Sequence, residues 1–181
     1  LIFNKMVNPI LPFNYSGIVW YQAESNGDSM EDALAYGELF KTMITSYRDS
    51  LNNQETPFIW VQLPAFYEPA GDMPSTWDAW PQLRAQQSGA LSLPFTGEAI
   101  TIDVGDVDIH PTNKKPVGER LALLARNLVY GEEIVAQSPR YRSNALTDSG
   151  AVEIQFYLFG DSLVTDNPDN KDLNSFALAG E

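Results

Sequence analysis

Pro57-Phe-Ile-Trp-Val-Gln-Leu63 is a short run of apolar, β-branched and aromatic residues, followed at once by Pro64. Its length and composition predict a buried strand. Upstream, Leu39, Phe40, Met43, Ile44 and Tyr47 recur at helical spacing and predict a helix from about Glu31 to Leu51. Ser29-Met-Glu-Asp32 fits its N-cap, with an acid three residues on. Before that helix, Gly17-Ile-Val-Trp-Tyr21 predicts a second buried strand. Downstream, a loop rich in Pro, Gly and aromatics runs from Pro64 to Trp80; loops of that length in compact domains are often functional. Pro81 suits a first helical position, and Leu83, Gln86, Gln87 and Ala90 continue a short helix. Ala99-Ile-Thr-Ile102 predicts the third strand. Val117, Leu121, Leu124 and Leu128 mark a last helix ending near Gly131.

Strand–helix three times over implies an α/β fold: parallel strands with right-handed crossovers and helices on both faces, three layers in all. Each strand then leads at its C-terminal end into a polar loop: Gln22-Ala23-Glu24, Gln62 to Pro64, and Asp103 to His110. At one edge of a parallel sheet these loops converge on a crevice, where open α/β folds keep their active sites. The third loop, Asp103-Val-Gly-Asp-Val-Asp-Ile-His110, holds three aspartates and the chain's one histidine. Histidine is the side chain best suited to move protons near neutral pH, so any histidine-based mechanism passes through His110. Beyond residue 134 the pattern changes. Val152-Glu-Ile-Gln-Phe-Tyr-Leu158 alternates like a half-buried strand, with turn residues at Asp148-Ser-Gly150 and again over 166–174. This predicts the start of a β-rich module.

The 181 residues fit one domain or a domain plus part of another, and an apolar fraction of 44% is ample for a packed core. A net charge of -13 argues against nucleic acid and against anionic membranes. Cysteine is absent, which removes disulfides, thiolate nucleophiles and thiolate metal ligands. No stretch approaches the length of a membrane span. The first residues carry no initiator Met and no signal-peptide pattern, and the last ones stop in an apolar-rich run; truncation at both ends is the expectation.

Four blocks in order, Gly17-Ile-Val-Trp-Tyr-Gln-Ala-Glu-Ser-Asn26, Pro57 to Pro64, Trp80-Pro-Gln-Leu-Arg84, and Ile109-His-Pro-Thr-Asn-Lys114 through Gly118-Glu-Arg-Leu-Ala-Leu123, resemble the sialate O-acetylesterases of the SGNH-hydrolase superfamily. The match runs from about Asn4 to Gly131, and the tail resembles the β-domain that follows the catalytic part in that family. The resemblance implies a three-layer, flavodoxin-like sheet and hydrolysis of O-acetyl esters of sialic acid or related sugars through a serine acyl-enzyme. It implies no cofactor and suggests a periplasmic or secreted setting. On this reading residues 1–133 are the C-terminal part of an esterase domain and 134–181 the start of a truncated β-sandwich-like module. The family's nucleophile lies in a Gly-x-Ser-type turn upstream of the Trp-Tyr-Gln block. The expected partners are therefore the acetylated sugar and the missing N-terminal part of the same protein, which completes the site.

The family's general base maps onto His110. An imidazole base needs an acid or carbonyl to fix its tautomer and stabilise its cation. Glu24 and Asp108 rank together for that role, Asp106 third, with Asp103 also in reach. Gln22 and the backbone N–H groups around Ala23 and Glu24 are candidates for an oxyanion site. The family block usually reads Gln-Gly-Glu-Ser; Ala23 replaces its glycine, which matters if that residue has positive φ. Asn26, Gln62 and Arg84 are candidates for holding substrate, Arg84 through bidentate pairing with a sugar carboxylate. Each also has a plainer role: Asn26 as a turn residue, Arg84 as a helix residue paired with a nearby acid. Trp60, Trp77 and Trp80 either stack on a sugar ring or build core.

Gly160-Asp-Ser-Leu163 spells the superfamily's nucleophile motif, and Gly27-Asp-Ser-Met30 nearly does, but both stand out of order. Ser29 reads better as a helix cap and Ser162 as a turn. One His and no Cys cannot form the usual zinc sites, and neither the 103–108 aspartates nor the 166–172 stretch fits an EF-hand loop, so no metal is expected. Two rival readings remain: a non-catalytic carbohydrate-binding protein on an esterase scaffold, and a structural partner domain of a larger glycan-degrading enzyme.

Overall fold

The computed structural model describes residues 3–67, 78–164 and 176. Three parallel strands, β1 (Ile18–Trp20), β2 (Phe58–Val61) and β3 (Thr96–Ala99), lie in the order β1-β2-β3. Ile18 pairs with Phe58 and Trp20 with Trp60; on the other side of β2, Phe58 pairs with Thr96 and Trp60 with Glu98. Helices α1 (Met30–Ser50) and α2 (Ala79–Gly89) connect the strands, and α3 (Lys115–Leu128) follows β3. Strands laid down in one direction with right-handed crossovers put α1 and α2 on the same face.

The period-2 geometry of β2 sorts its side chains between the two faces. Phe58 and Trp60 point to α1 and α2 and join Tyr36, Phe40, Ile44, Trp80 and Leu83 in the larger core. Phe40 meets Trp60 edge-on at 5.1 Å and Phe58 at 6.1 Å, arrangements aromatic quadrupoles favour. Ile59 points the other way and packs with Ala99 and Leu124 of α3. The sheet is thus covered on both sides, the three-layer arrangement expected. Gly97 in β3 lets α3 approach, since a Cβ there would stand 2.7 Å from Leu128 Cδ1.

Helix α1 starts where the sequence places it. The Ser29 hydroxyl accepts from the Asp32 amide at 3.1 Å and donates to the Asp32 carboxylate. Its inward stripe is Ala33, Tyr36, Gly37, Phe40, Ile44 and Arg48. Arg48 is buried and donates to the carbonyls of Thr56, Pro94 and Phe95, tying together the chain entering β2 and β3. Helix α2 begins two residues before the proline that suggested its start. Asp78 is its N-cap, accepting from the Trp80 amide, and Pro81 falls within the first turn, where no intrahelical N–H is needed.

The third strand lies earlier than Ala99–Ile102. Ile100 and Thr101 leave the ladder, and Ile102–Val104 form a 3-10 turn. Thr101 is drawn out because its hydroxyl donates to the Gln62 carbonyl at 2.5 Å. The true strand, Thr-Gly-Glu-Ala, carries a glycine and a carboxylate, so it lacks the apolar signature. Beyond α3, β4 (Arg140–Leu146) pairs antiparallel with β5 (Val152–Tyr157) around the Asp148-Ser-Gly150 turn. The second of these strands matches the expected β-rich segment; the first is mostly exposed and was not foreseen.

Candidate active site at the C-terminal edge of the sheet

The three loops expected to converge leave the same edge of the sheet and are bonded to one another. The first is pinned from below. The Gln22 carbonyl accepts from the Tyr36 hydroxyl and from Gln87 Nε2, both at 3.4 Å, while Gln22 Oε1 also accepts from Tyr36 at 3.3 Å. Burial pushes the Tyr36 hydroxyl up to about 12, so it stays a donor at neutral pH. Gln87 also accepts from the Leu63 amide at 2.9 Å, which joins the loop after β1 to the loop after β2. The Thr101 hydroxyl on the Gln62 carbonyl joins the second loop to the third.

Ala23 is fully buried with φ 145° and ψ -1°. That is a conformation glycine adopts freely and a Cβ resists, so Ala23 sits under strain. Its N–H donates to Glu24 Oε2 at 2.9 Å, and its carbonyl accepts from the Asn26 amide at 2.8 Å. Gln22 Nε2 donates to Asn26 Oδ1 at 3.3 Å. Gln22, Ala23, Glu24 and Asn26 therefore form one knot in which the Glu24 carboxylate turns back onto its own loop.

The histidine loop is built differently. Asp103 makes a bidentate pair with Arg120 of α3, at 2.6 Å on each oxygen, and Arg120 also donates to the Ile100 carbonyl. The guanidinium holds the Asp103 carboxyl below its usual range, and this acid anchors the loop to the helix instead of facing His110. Phe66 and Asp106 form an isolated parallel bridge, and Asp106 accepts from the Val107 amide. A Cβ on Gly105 would stand 2.1 Å from the Ala65 carbonyl oxygen, so glycine is required for this crossing. Asp108 Oδ1 accepts from the His110 amide at 2.7 Å and lies 3.4 Å from His110 Nδ1. The His110 side chain is 88% exposed. Among the described residues Asp108 is the acid it touches. Lys114 ties this loop to the first, donating to the Tyr21 hydroxyl at 3.2 Å with its ammonium 4.9 Å from the ring centroid.

Other singled-out residues fall elsewhere. Gln62 is buried and donates to the Ser88 hydroxyl at 3.0 Å. Arg84 is half-buried on α2, its charge disfavoured by burial and supported by Asp78. Trp60 and Trp80 are core residues: their indole N–H groups donate to Glu98 and to the Pro64 carbonyl. Trp77 and the 166–172 stretch lie outside the described residues. Ser29 is the α1 cap, and Ser162 stands exposed in a bend after β5. Among the described residues no three His, Cys, Asp or Glu side chains gather as a metal site would need.

Sequence reading missed Glu98. This carboxylate is buried on β3 and accepts from Trp60 Nε1 at 3.0 Å and from the Ser88 hydroxyl at 2.8 Å. Burial raises its pKa, opposed by those donors and by Arg140 of β4. No local sequence signal marks Glu98, because its place opposite Trp60 comes from the sheet register.

The model of the family described as carbohydrate esterase, sialic acid-specific acetylesterase, matches residues 2–125. The chain belongs to this family. The human sialate O-acetylesterase is 31% identical over 151 residues, 74% of this chain and 28% of that protein. The mouse sialate O-acetylesterase is 30% identical over 152 residues, 74% of this chain and 27% of that protein. A solved carbohydrate acetylesterase from Xanthomonas citri superposes with a TM-score of 0.80 at 42% identity, covering 88% of this chain and 36% of that one. The chain thus spans little more than a quarter of the curated esterases it matches. The family match covers all three loops of the sheet edge.

Proposed function

We propose that this chain is the histidine-bearing part of a carbohydrate O-acetylesterase that acts on O-acetyl esters of sialic acid or a related sugar. The observation that carries the reading is the His110–Asp108 pair, 3.4 Å apart and open to solvent at the C-terminal edge of a parallel sheet. A proton on Nδ1 would face Asp108 and leave Nε2 as the acceptor. A serine hydroxyl attacks the acetyl carbonyl while Nε2 takes its proton, and Asp108 stabilises the imidazolium that forms. The tetrahedral intermediate collapses, and His110 returns the proton to the departing sugar oxygen. Water then repeats the sequence on the acetyl-enzyme and releases acetate. The backbone N–H groups of Ala23 and Asn26 are engaged within the Gln22–Asn26 knot, so the donor assigned to the oxyanion on this reading is the Asn26 side-chain amide.

The serine comes from a segment of the same protein N-terminal to this stretch, in a Gly-x-Ser turn. The open flank of β1 supports this. Among the described residues β1 pairs only with β2, and Val19 is 58% exposed, an unprotected edge of the kind proteins cover. Apolar hollows flank it on both faces, one lined by Ile10, Tyr15, Tyr47 and Leu51, the other by Pro57, Ala125 and Val129. A further strand and its helices would fill both.

The test is turnover of an O-acetylated sialic acid by the full-length gene product. His110→Ala is expected to lower kcat by about 10³-fold or more. The 181-residue chain alone is expected to release no acetate. Turnover by that chain alone, abolished by His110→Ala, would place the nucleophile within it and overturn the two-part site. One observation favours the non-catalytic binding reading: the Ala23 N–H is already spent on Glu24. Sugar binding by the full-length protein without acetate release would establish that alternative.

A further inference from the structure

The rim of the crevice carries an exposed aromatic ring, Tyr67, that lies outside the core clusters. Tyr67 follows β2 and is 70% exposed. Its ring stands 3.7 Å, centroid to centroid, from that of Phe66, tilted by 32°. The Phe66 ring in turn lies 5.1 Å from Trp80, whose indole is fixed by its bond to the Pro64 carbonyl. Three rings thus run outward from the core, and the outermost is presented to solvent on a braced support. Tyr67 also has φ +70°, an outlier conformation for a bulky residue, so its direction is set by the surrounding packing and not by local preference.

Its position gives this ring a use. Phe66 bridges Asp106, four residues before His110, and Ala65 is the residue that Gly105 crosses. The ring is therefore mounted on the loop after β2 where that loop abuts the histidine loop. We propose that Tyr67 is the sugar-ring platform of the site: its face takes the apolar C–H face of the pyranose whose acetyl ester reaches His110. This rests on the esterase reading above and extends it to recognition. An acetyl group alone offers little to hold, so binding energy from the non-reacting sugar has to position the ester. A net charge of -13 opposes anionic ligands at long range, and stacking on an aromatic face is a neutral way to hold them. Trp60 and Trp80, the described tryptophans after β1, are buried and cannot serve.

The experiment compares Tyr67→Ala and Tyr67→Phe in the full-length protein on an O-acetylated sialic acid, an acetylated xylo-oligosaccharide and ethyl acetate. Tyr67→Ala is expected to lower kcat/KM on the acetylated sugar by about tenfold, mostly through KM, with ethyl acetate changed by less than about twofold. Tyr67→Phe keeps the ring and is expected to stay within about twofold on all three. Equal losses on sugar and ethyl acetate, or no loss on the sugar, would overturn the platform. Should the wild type hydrolyse none of them, the esterase reading falls, and fluorescence titration with the same sugars decides the platform separately. Binding that weakens in Tyr67→Ala and survives in Tyr67→Phe upholds it; no sugar binding overturns it.

Discussion

The loop after β1 and the loop after β3 meet at one edge of the sheet but are held by opposite means. The first is fastened by buried donors, with Tyr36 and Gln87 on the Gln22 carbonyl and a strained, fully buried Ala23 at its centre. The second is fastened at a distance, by Asp103 on Arg120 and by the crossing of Gly105 over Ala65, and leaves His110 exposed. Rigid donors that meet a developing charge gain from burial, because a dry and fixed dipole costs no reorganisation. An imidazole that takes a proton from a hydroxyl must instead stay accessible to it. The difference teaches that the loop after β1 is fixed by contacts within the chain while the histidine is left open, as the proposed function requires of a base that meets a serine from another segment.

The contrast breaks most sharply at Gly105. Gly105→Ala forces a Cβ into the Ala65 carbonyl and is expected to cost about 1–3 kcal/mol in urea denaturation, with esterase activity falling as the histidine loop moves. An unchanged midpoint would mean that the loop is not held by this crossing. A smaller effect of opposite sign is expected at the other loop. Ala23→Gly relieves the strain at φ 145° and should raise stability by about 1 kcal/mol, read from the same denaturation curve. A loss there would show that the Ala23 methyl contributes more packing than its backbone costs.

The smallest effect is expected beneath the loops, at Glu98. Its folded pKa lies above the usual 4.5, so the folded state binds the proton more tightly than the unfolded chain does. Stability from this group is present below about pH 4.5 and is lost as pH rises through the folded pKa. Glu98→Gln keeps an acceptor for Trp60 and Ser88 and removes the charge. The melting temperature of the variant should match wild type at pH 4 and exceed it at pH 8. A lower melting temperature at pH 8 would show that the pairing with Arg140 outweighs desolvation.

The alternation of elements was legible because its signals are local. Helical spacing from Leu39 to Tyr47, the Ser29 cap and the apolar runs at 17–21 and 57–63 each place an element. The third strand was displaced because a buried carboxylate and a glycine occupy it, and only contacts across the sheet, Trp60 to Glu98 and Leu128 over Gly97, make those residues fit. His110 was legible as the one imidazole in an acid-rich loop. The sorting of its acids was not. Asp103 is taken by Arg120 seventeen residues on, and Glu24 by the amide beside it; both depend on geometry that spacing does not encode. Trp60 and Trp80, which invited a sugar, are core, while Tyr67 stands exposed beside Phe66.

The central claim is that His110 serves a serine carried by another segment of the same protein. It is tested most directly by a crystal structure of the full-length protein after labelling with a serine-directed fluorophosphonate. The account predicts the labelled serine on a strand end beside β1, its Oγ within about 3 Å of His110 Nε2. A label on Ser162, or a labelled serine out of reach of His110, would contradict it.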